Sequence, residues 1–307
     1  MKKFAAGVTV ALASGALFIP ATAAQAVCAN QAIWTQDGDA GVVKKWSTDG
    51  DLLATIDANI QASDMAISSD LEHFLAPSDG GIDSWNSSTG ADETTIDVDW
   101  STSSYQGGAG AGVIAGNKLL VDSDNVIVAV DLDTNVAADW ADLADGDASV
   151  DVGLRGGSWT VAGDLLQLPD GDVLAVANNS SVSENVILVR IDKTTTSDVT
   201  VVGTVSAGDE VWGAARAGDD IFLATAGGAL LKVASIPTAA SLDEVTTTEI
   251  VSGGGSFWGA AGSNDSTDGN ATCEIAETGL DAAPMGLGAA ALIAAGGIAL
   301  AVRRRKA

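Results

Sequence analysis

The chain has 307 residues, with 41 Asp and Glu against 14 Lys and Arg, for a formal net charge of −27. A surface this negative repels nucleic acid and anionic lipid, which excludes DNA and RNA as partners. One histidine and two cysteines cannot make an ordinary zinc set, and the length suits one large domain or two small ones.

At the N-terminus Lys2 and Lys3 precede an apolar stretch from Phe4 to Ile19, then Pro20 and small residues ending at Ala24-Gln25-Ala26. That order of positive, apolar and small residues is a secretory signal peptide over residues 1–26, cut between Ala26 and Val27. A retained N-terminal anchor is the alternative. Cys28 does not imply lipidation, because Gln25 and Val27 stand where a lipobox has Leu and a small residue.

From residue 29 to 270 no long amphipathic helical pattern occurs. Apolar runs are short, β-branched and broken by Gly, Asp, Asn or Ser, as in a chain of many short strands. One pattern, apolar alternation followed by a polar turn, recurs five times: residues 41–50, 80–90, 125–135, 185–195 and 228–238. Each copy follows another short strand, beginning at Ile33, His73, Lys118, Asp172 and Ile221. Four of these pairs have a small-residue strand in front, near Met65, Gly112, Leu165 and Trp212, and a fourth strand follows each copy. Four strands recurring about every fifty residues describe propeller blades.

The first unit lacks its innermost strand, and "FWGAAG" at Phe257 to Gly262 echoes "VWGAAR" at Val211 to Arg216 one period earlier. A C-terminal strand completing the N-terminal blade would close the ring and remove exposed edges. The expected domain, residues 27–274, is an all-β propeller of five blades. A sixth blade hidden in the insertion "DASVDVGLRGGSWTVAGD" and a β-sandwich are the alternatives. The pattern resembles secreted bacterial propellers of the YncE and NHL type, in which a segment like "VIVAVDLDTN" ends the third strand of a blade. Cys28 and Cys273, an even pair in an exported chain, read as one disulfide beside the closure.

Behind the propeller comes Ile275-Ala276-Glu277-Thr278-Gly279, then an apolar segment over 284–302 and the basic tail 303–307. The uncharged run from Met285 to Val302, as a helix at about 1.5 Å per residue, nearly spans a bilayer core of about 30 Å. Arg303, Arg304, Arg305 and Lys306 would hold its end in the cytoplasm. The order of motif, apolar segment and basic tail resembles the sorting signals of sortase substrates in Gram-positive bacteria, with Ile-Ala close to the Leu-Ala form of class E sortases. The resemblance implies cleavage between Thr278 and Gly279 and attachment of Thr278 to a peptidoglycan amine. The membrane helix would then exist only in the precursor; a plain single-pass anchor is the alternative. Without both processed ends the chain keeps eight Lys and Arg against forty Asp and Glu, a net charge of −32.

Chemical motifs are sparse. The "DGD" stretches at 37–39, 49–51, 145–147 and 170–172 read as turns, with weak calcium binding the alternative; no EF-hand loop is present. No metal site, cofactor or catalytic residue is assigned. His73 reads as structural, without a nucleophile elbow to serve. It also lacks the companion histidines of streptogramin lyase-like propellers, and "STDGD" at 47–51 lacks the rest of a sialidase Asp-box. "GGAGAG" at Gly107 to Gly112 reads as a connection into an inner strand, whose glycines allow close approach near the axis. Trp46 and Trp85 share one repeat position and Trp212 and Trp258 another, which points to packing, leaving Trp100, Trp140 and Trp159 as surface candidates. The expectation is a wall-anchored binding or presentation protein, with sortase and peptidoglycan as partners and an extracellular ligand of unknown identity. The rival is a hydrolase or lyase with an acidic, calcium-assisted site in the central channel.

Overall fold

The computed structural model describes residues 31–60, 64–78, 80–107, 111–114, 118–123, 126–143, 159–179 and 186–263. The signal peptide, Cys28, Cys273, the sorting motif, residues 284–302 and the basic tail lie outside them. Among the described residues no helix is long and apolar enough to cross a membrane.

Among the described residues, twenty strands form five four-stranded antiparallel sheets. The first group is β1 (Ile33–Asp37), β2 (Val42–Trp46) and β3 (Leu52–Ile56). The second is β4 (Ala66–Ile67), β5 (His73–Ser78), β6 (Gly81–Asn86) and β7 (Asp92–Asp97). The third is β8 (Ala111–Ile114), β9 (Lys118–Ser123), β10 (Val126–Asp131) and β11 (Val136–Asp142). The fourth is β12 (Trp159–Gln167), β13 (Val173–Asn179), β14 (Val186–Ile191) and β15 (Val199–Val205). The last is β16 (Val211–Ala217), β17 (Asp220–Thr225), β18 (Leu230–Val233) and β19 (Thr247–Val251), followed by β20 (Phe257–Gly262). Strand β20 pairs antiparallel with β1, so the first sheet runs β20-β1-β2-β3, as the sequence anticipates. The segment from Trp159 that disguised itself as an insertion is the start of inner strand β12, and the fold is a five-bladed propeller.

The middle strands bury both faces because each sheet is covered on both sides, hence continuous apolar runs such as "VIVAV" in β10. Outer strands other than the buried β15 are mostly exposed or half-exposed: β3 leaves Leu52 and Leu53 open, and β7 carries Asp92, Glu93 and Asp97 along its length. Short, charged outer strands discourage edge-to-edge pairing.

Five hydrophobic clusters follow the ring, each joining two successive sheets. Trp34 and Val43 pack with Phe74 and Trp85 between the first and second, and Leu75 and Ile82 with Leu119 and Val128 between the second and third. Leu120 and Ile127 meet Val173 and Ile187, and Leu174 and Leu188 meet Val211 and Leu223. The fifth cluster brings Phe222 and Leu230 against Ile33, Trp46 and Phe257, so the cycle closes through β20. Near the axis the inner strands touch through small residues. A Cβ on Gly112 would stand 1.9 Å from the Leu165 carbonyl oxygen, which explains the glycine at that place.

In the first three sheets the turn after the third strand packs onto the sheet before it in the ring. Gly90, at φ +73°, ends the β6–β7 turn against the loop leaving β3, where a Cβ would meet the Asp57 carbonyl oxygen at 2.2 Å. Gly50 makes the corresponding approach to Ile250 on β19. In the third sheet Asn135 does the same work, accepting a hydrogen bond from Asp99 N through its carbonyl at 2.9 Å.

Candidate functional site

The inner strands β20, β4, β8, β12 and β16 surround the axis, and two of them carry the same irregularity. In β16, Val211 pairs with Thr225 and Gly213 with Ala224, so Trp212 is skipped. In β20, Phe257 pairs with Asp37 and Gly259 with Gln36, so Trp258 is skipped. A bulge adds one residue to a strand and re-aims its side chain. Here it places two half-buried indoles edge to face, centroids 6.5 Å apart, at the N-terminal ends of neighbouring inner strands. Trp212 Nε1 donates to Glu210 Oε2 at 3.0 Å and Trp258 Nε1 to Ser256 Oγ at 3.3 Å.

Beside this pair Asp64 is buried just ahead of β4. Its Oδ1 accepts from Met65 N at 2.7 Å and its Oδ2 from Ala111 N at 3.0 Å, while Gly259 leaves room for it on β20. One carboxylate thus links the second and third sheets by hydrogen bonds and packs against the inner strand of the first. Asp37, also buried, pairs with Lys44 at 2.6 Å, and Lys44 reaches the Gly254 carbonyl in front of β20. Burial pushes the Asp37 carboxyl up, but the Lys44 ammonium and the Ala40 N–H outweigh it and hold Asp37 below the usual carboxylate range.

His73 lies at the start of β5, its Nδ1 2.7 Å from Glu93 Oε2. Asp70, Glu72 and His73 each offer a ligand atom within 4.8 Å of the others, all on an exposed or half-exposed turn. Desolvation raises the Asp70 carboxyl, yet hydrogen bonds from Ser68 Oγ and Glu72 N and the His73 charge leave it lowered. Trp100 and Trp140, expected at the surface, are half-buried. Trp100 stacks on Tyr105, centroids 4.0 Å apart and planes 18° apart, and Trp140 packs against the cluster between the third and fourth sheets. Trp46 is buried, as its repeat position implied, with Nε1 donating to Thr35 Oγ1 at 2.8 Å. The side chain of Trp159 lies outside the described set.

The arrangement is that of a five-bladed β-propeller with an indole pair and a buried carboxylate at one end of its inner strands. Some solved structures match the chain at low similarity. The extracellular domain of the hybrid two component system BT4673 from B. thetaiotaomicron is 13% identical, with 69% of this chain covering 28% of that one at a TM-score of 0.34. PorZ, a bacterial surface component of the type-IX secretion system of Porphyromonas gingivalis, is 14% identical, 69% covering 33%, at 0.37. A chain of the mitotic checkpoint complex is 13% identical, 68% covering 58%, at 0.35. The chain spans a third or less of the first two, and at these scores no function passes between them. No family model matches the chain. A search of curated proteins finds no match.

Proposed function

We propose that this is an exported, cell-wall-anchored propeller that binds an extracellular ligand without transforming it, at the ring end where the inner strands begin. The observation that carries the binding reading is the pair of bulged tryptophans. A bulge at the same place in two inner strands spends ladder hydrogen bonds to re-aim an indole, and half-buried indoles offer apolar area with a polar edge. Asp64 favours the binding reading over a hydrolase, because its two oxygens hold backbone N–H groups of inner strands rather than facing a second carboxylate. The address rests on the signal peptide and on Ile275 to Gly279 followed by an apolar segment and basic tail.

Deleting Ile275 to Gly279 is expected to move the protein from the covalently bound fraction of purified sacculi into membrane and medium; unchanged covalent attachment would refute sortase anchoring. For the ring end, the protein is screened against arrayed glycans and peptides beside Trp212→Ala and Trp258→Ala. Loss of a hit in both variants, at unchanged melting temperature, is the expected result. Binding indifferent to both, or turnover of a bound compound, contradicts the reading.

A further inference from the structure

A second concavity lies at the outer seam between the first and second sheets, away from the indole pair. It is a cleft of about 530 Å³ lined by Asp57, Asn59, Ser78, Asp83, Trp85 and Asp92, a size ordinary for small-molecule sites. Its walls are set by backbone: Gly90 presses the β6–β7 turn onto Asp57, and Asn59 N donates to the Gly41 carbonyl at 3.0 Å. Asp83 is steadied by Thr95 Oγ1 at 2.6 Å.

The donors and acceptors in the lining are lopsided. Three carboxylates only accept, and no Lys or Arg contributes. Trp85 is 8% exposed and contributes to the lining, yet its indole N–H, which can only donate, has no hydrogen-bond acceptor among the described residues. A ligand that brings one acceptor for this indole edge and several donors for the carboxylates complements the lining. A single metal ion does not meet this need, because Asp57, Asp83 and Asp92 are not among the described groups whose ligand atoms converge. Hydroxyls on a carbon ring do meet it: each both donates and accepts, and the C–H faces suit an indole and Pro77.

We propose that this cleft is a saccharide-binding site taking a neutral mono- or disaccharide unit. Sugar hydroxyls donate to Asp57, Asp83 and Asp92, and one sugar oxygen accepts from Trp85 Nε1. The inference extends the binding-protein reading but is independent of Trp212 and Trp258.

The test titrates the protein with uncharged sugars (glucose, galactose, mannose, N-acetylglucosamine and its dimer), and with putrescine and lysine methyl ester as cations, followed by calorimetry and indole fluorescence. At least one sugar is expected to bind at concentrations up to about 10 mM, with affinity unchanged from about 0.05 to 0.5 M salt. Trp85→Phe, which keeps an aromatic ring but removes the N–H and part of a buried side chain, and Asp83→Asn should each weaken binding about two- to tenfold, Asp83→Asn at unchanged melting temperature and Trp85→Phe at a somewhat lowered one. Trp212→Ala should leave this binding intact, which separates its fate from that of the ring-end site. No sugar binding at all, binding of the cations alone with loss in salt, or sugar binding untouched by both cleft variants would overturn the proposal.

Discussion

Single polar side chains set the ends of the third strands. Asn86, Asp131 and Asp192 occupy one repeat position, and the side-chain oxygen of each accepts N–H groups two and three residues on, at 2.7 to 3.1 Å. Ser47, at the matching position, accepts instead from N–H groups two and four residues on, Asp49 at 3.3 Å and Asp51 at 3.0 Å. The backbone N–H of Thr134 is the main cause that lowers the Asp131 carboxyl, and the Thr194 hydroxyl the main cause for Asp192. Because these folded-state values are depressed, their stabilisation is complete above the unfolded Asp value of about 3.9 and is lost as pH falls through the folded values. Asn at the same position keeps the turn, as Asn86 does, but cannot titrate. The double variant Asp131→Asn, Asp192→Asn should therefore melt like the parent near neutrality and lose less melting temperature under acid, below about pH 4. Parallel acid limbs in thermal melts across pH would refute this. These turns were legible in the sequence because each bond spans two to four residues. The work of Asp64 was not, since Ala111 and Gly259 reach it only through the closed ring.

At the scale of strands and turns, the sequence revealed all five third strands and the strand before each, because apolar runs bounded by Gly and Asp are local signals. It also paired Trp212 with Trp258 and read them as packing between blades, which agrees with their edge-to-face contact, but it did not reveal the bulges that re-aim them. A bulge is a property of two strands in register, and no single strand announces it. The stacking of Trp100 on Tyr105 was not legible for a related reason, being a contact with no repeat signature. Turn docking leads to a sharper test. Ala at Gly90 would carry a Cβ into the Asp57 carbonyl at a left-handed φ, whereas Gly107, at φ +98°, has nothing within 4 Å. Gly107→Ala should cost about 1–2 kcal/mol from backbone conformation alone. Gly90→Ala should cost roughly 3 kcal/mol or more by adding overpacking to that strain. Urea titration of the two variants measures the difference, and equal losses would mean that the β6–β7 turn is not seated against the first sheet.

For the molecule as a whole, the self-similarity of "VWGAAR" and "FWGAAG" was the most informative long-range signal. It placed the last strand on the first sheet, where β20 pairs with β1 from Ile33↔Gly262 to Asp37↔Phe257. The pairing continues one step further, with Ser263 N donating to the Ala32 carbonyl at 3.0 Å and Ala32 N to Ser263 Oγ at 3.2 Å. The described chain therefore enters and leaves at one point. Cys28 and Cys273 lie outside the described residues, and we propose, from the sequence alone, that they form a disulfide. Mass spectrometry without reductant should find the two linked, and Cys28→Ser should lower stability by about 2–4 kcal/mol; two free thiols would contradict it.

The seat of β20 also sets a schedule. During synthesis β1 emerges early, yet its inner edge has no partner until Phe257 to Gly262 has been made, roughly two hundred residues later. At about 5–20 residues per second, this leaves β1 unpaired on its inner edge for on the order of ten to forty seconds. The other four sheets are each contiguous in the chain and can assemble as they appear. The first residues of the propeller to be made are thus the last to be locked, and the ring stays open until nearly the whole domain has been delivered.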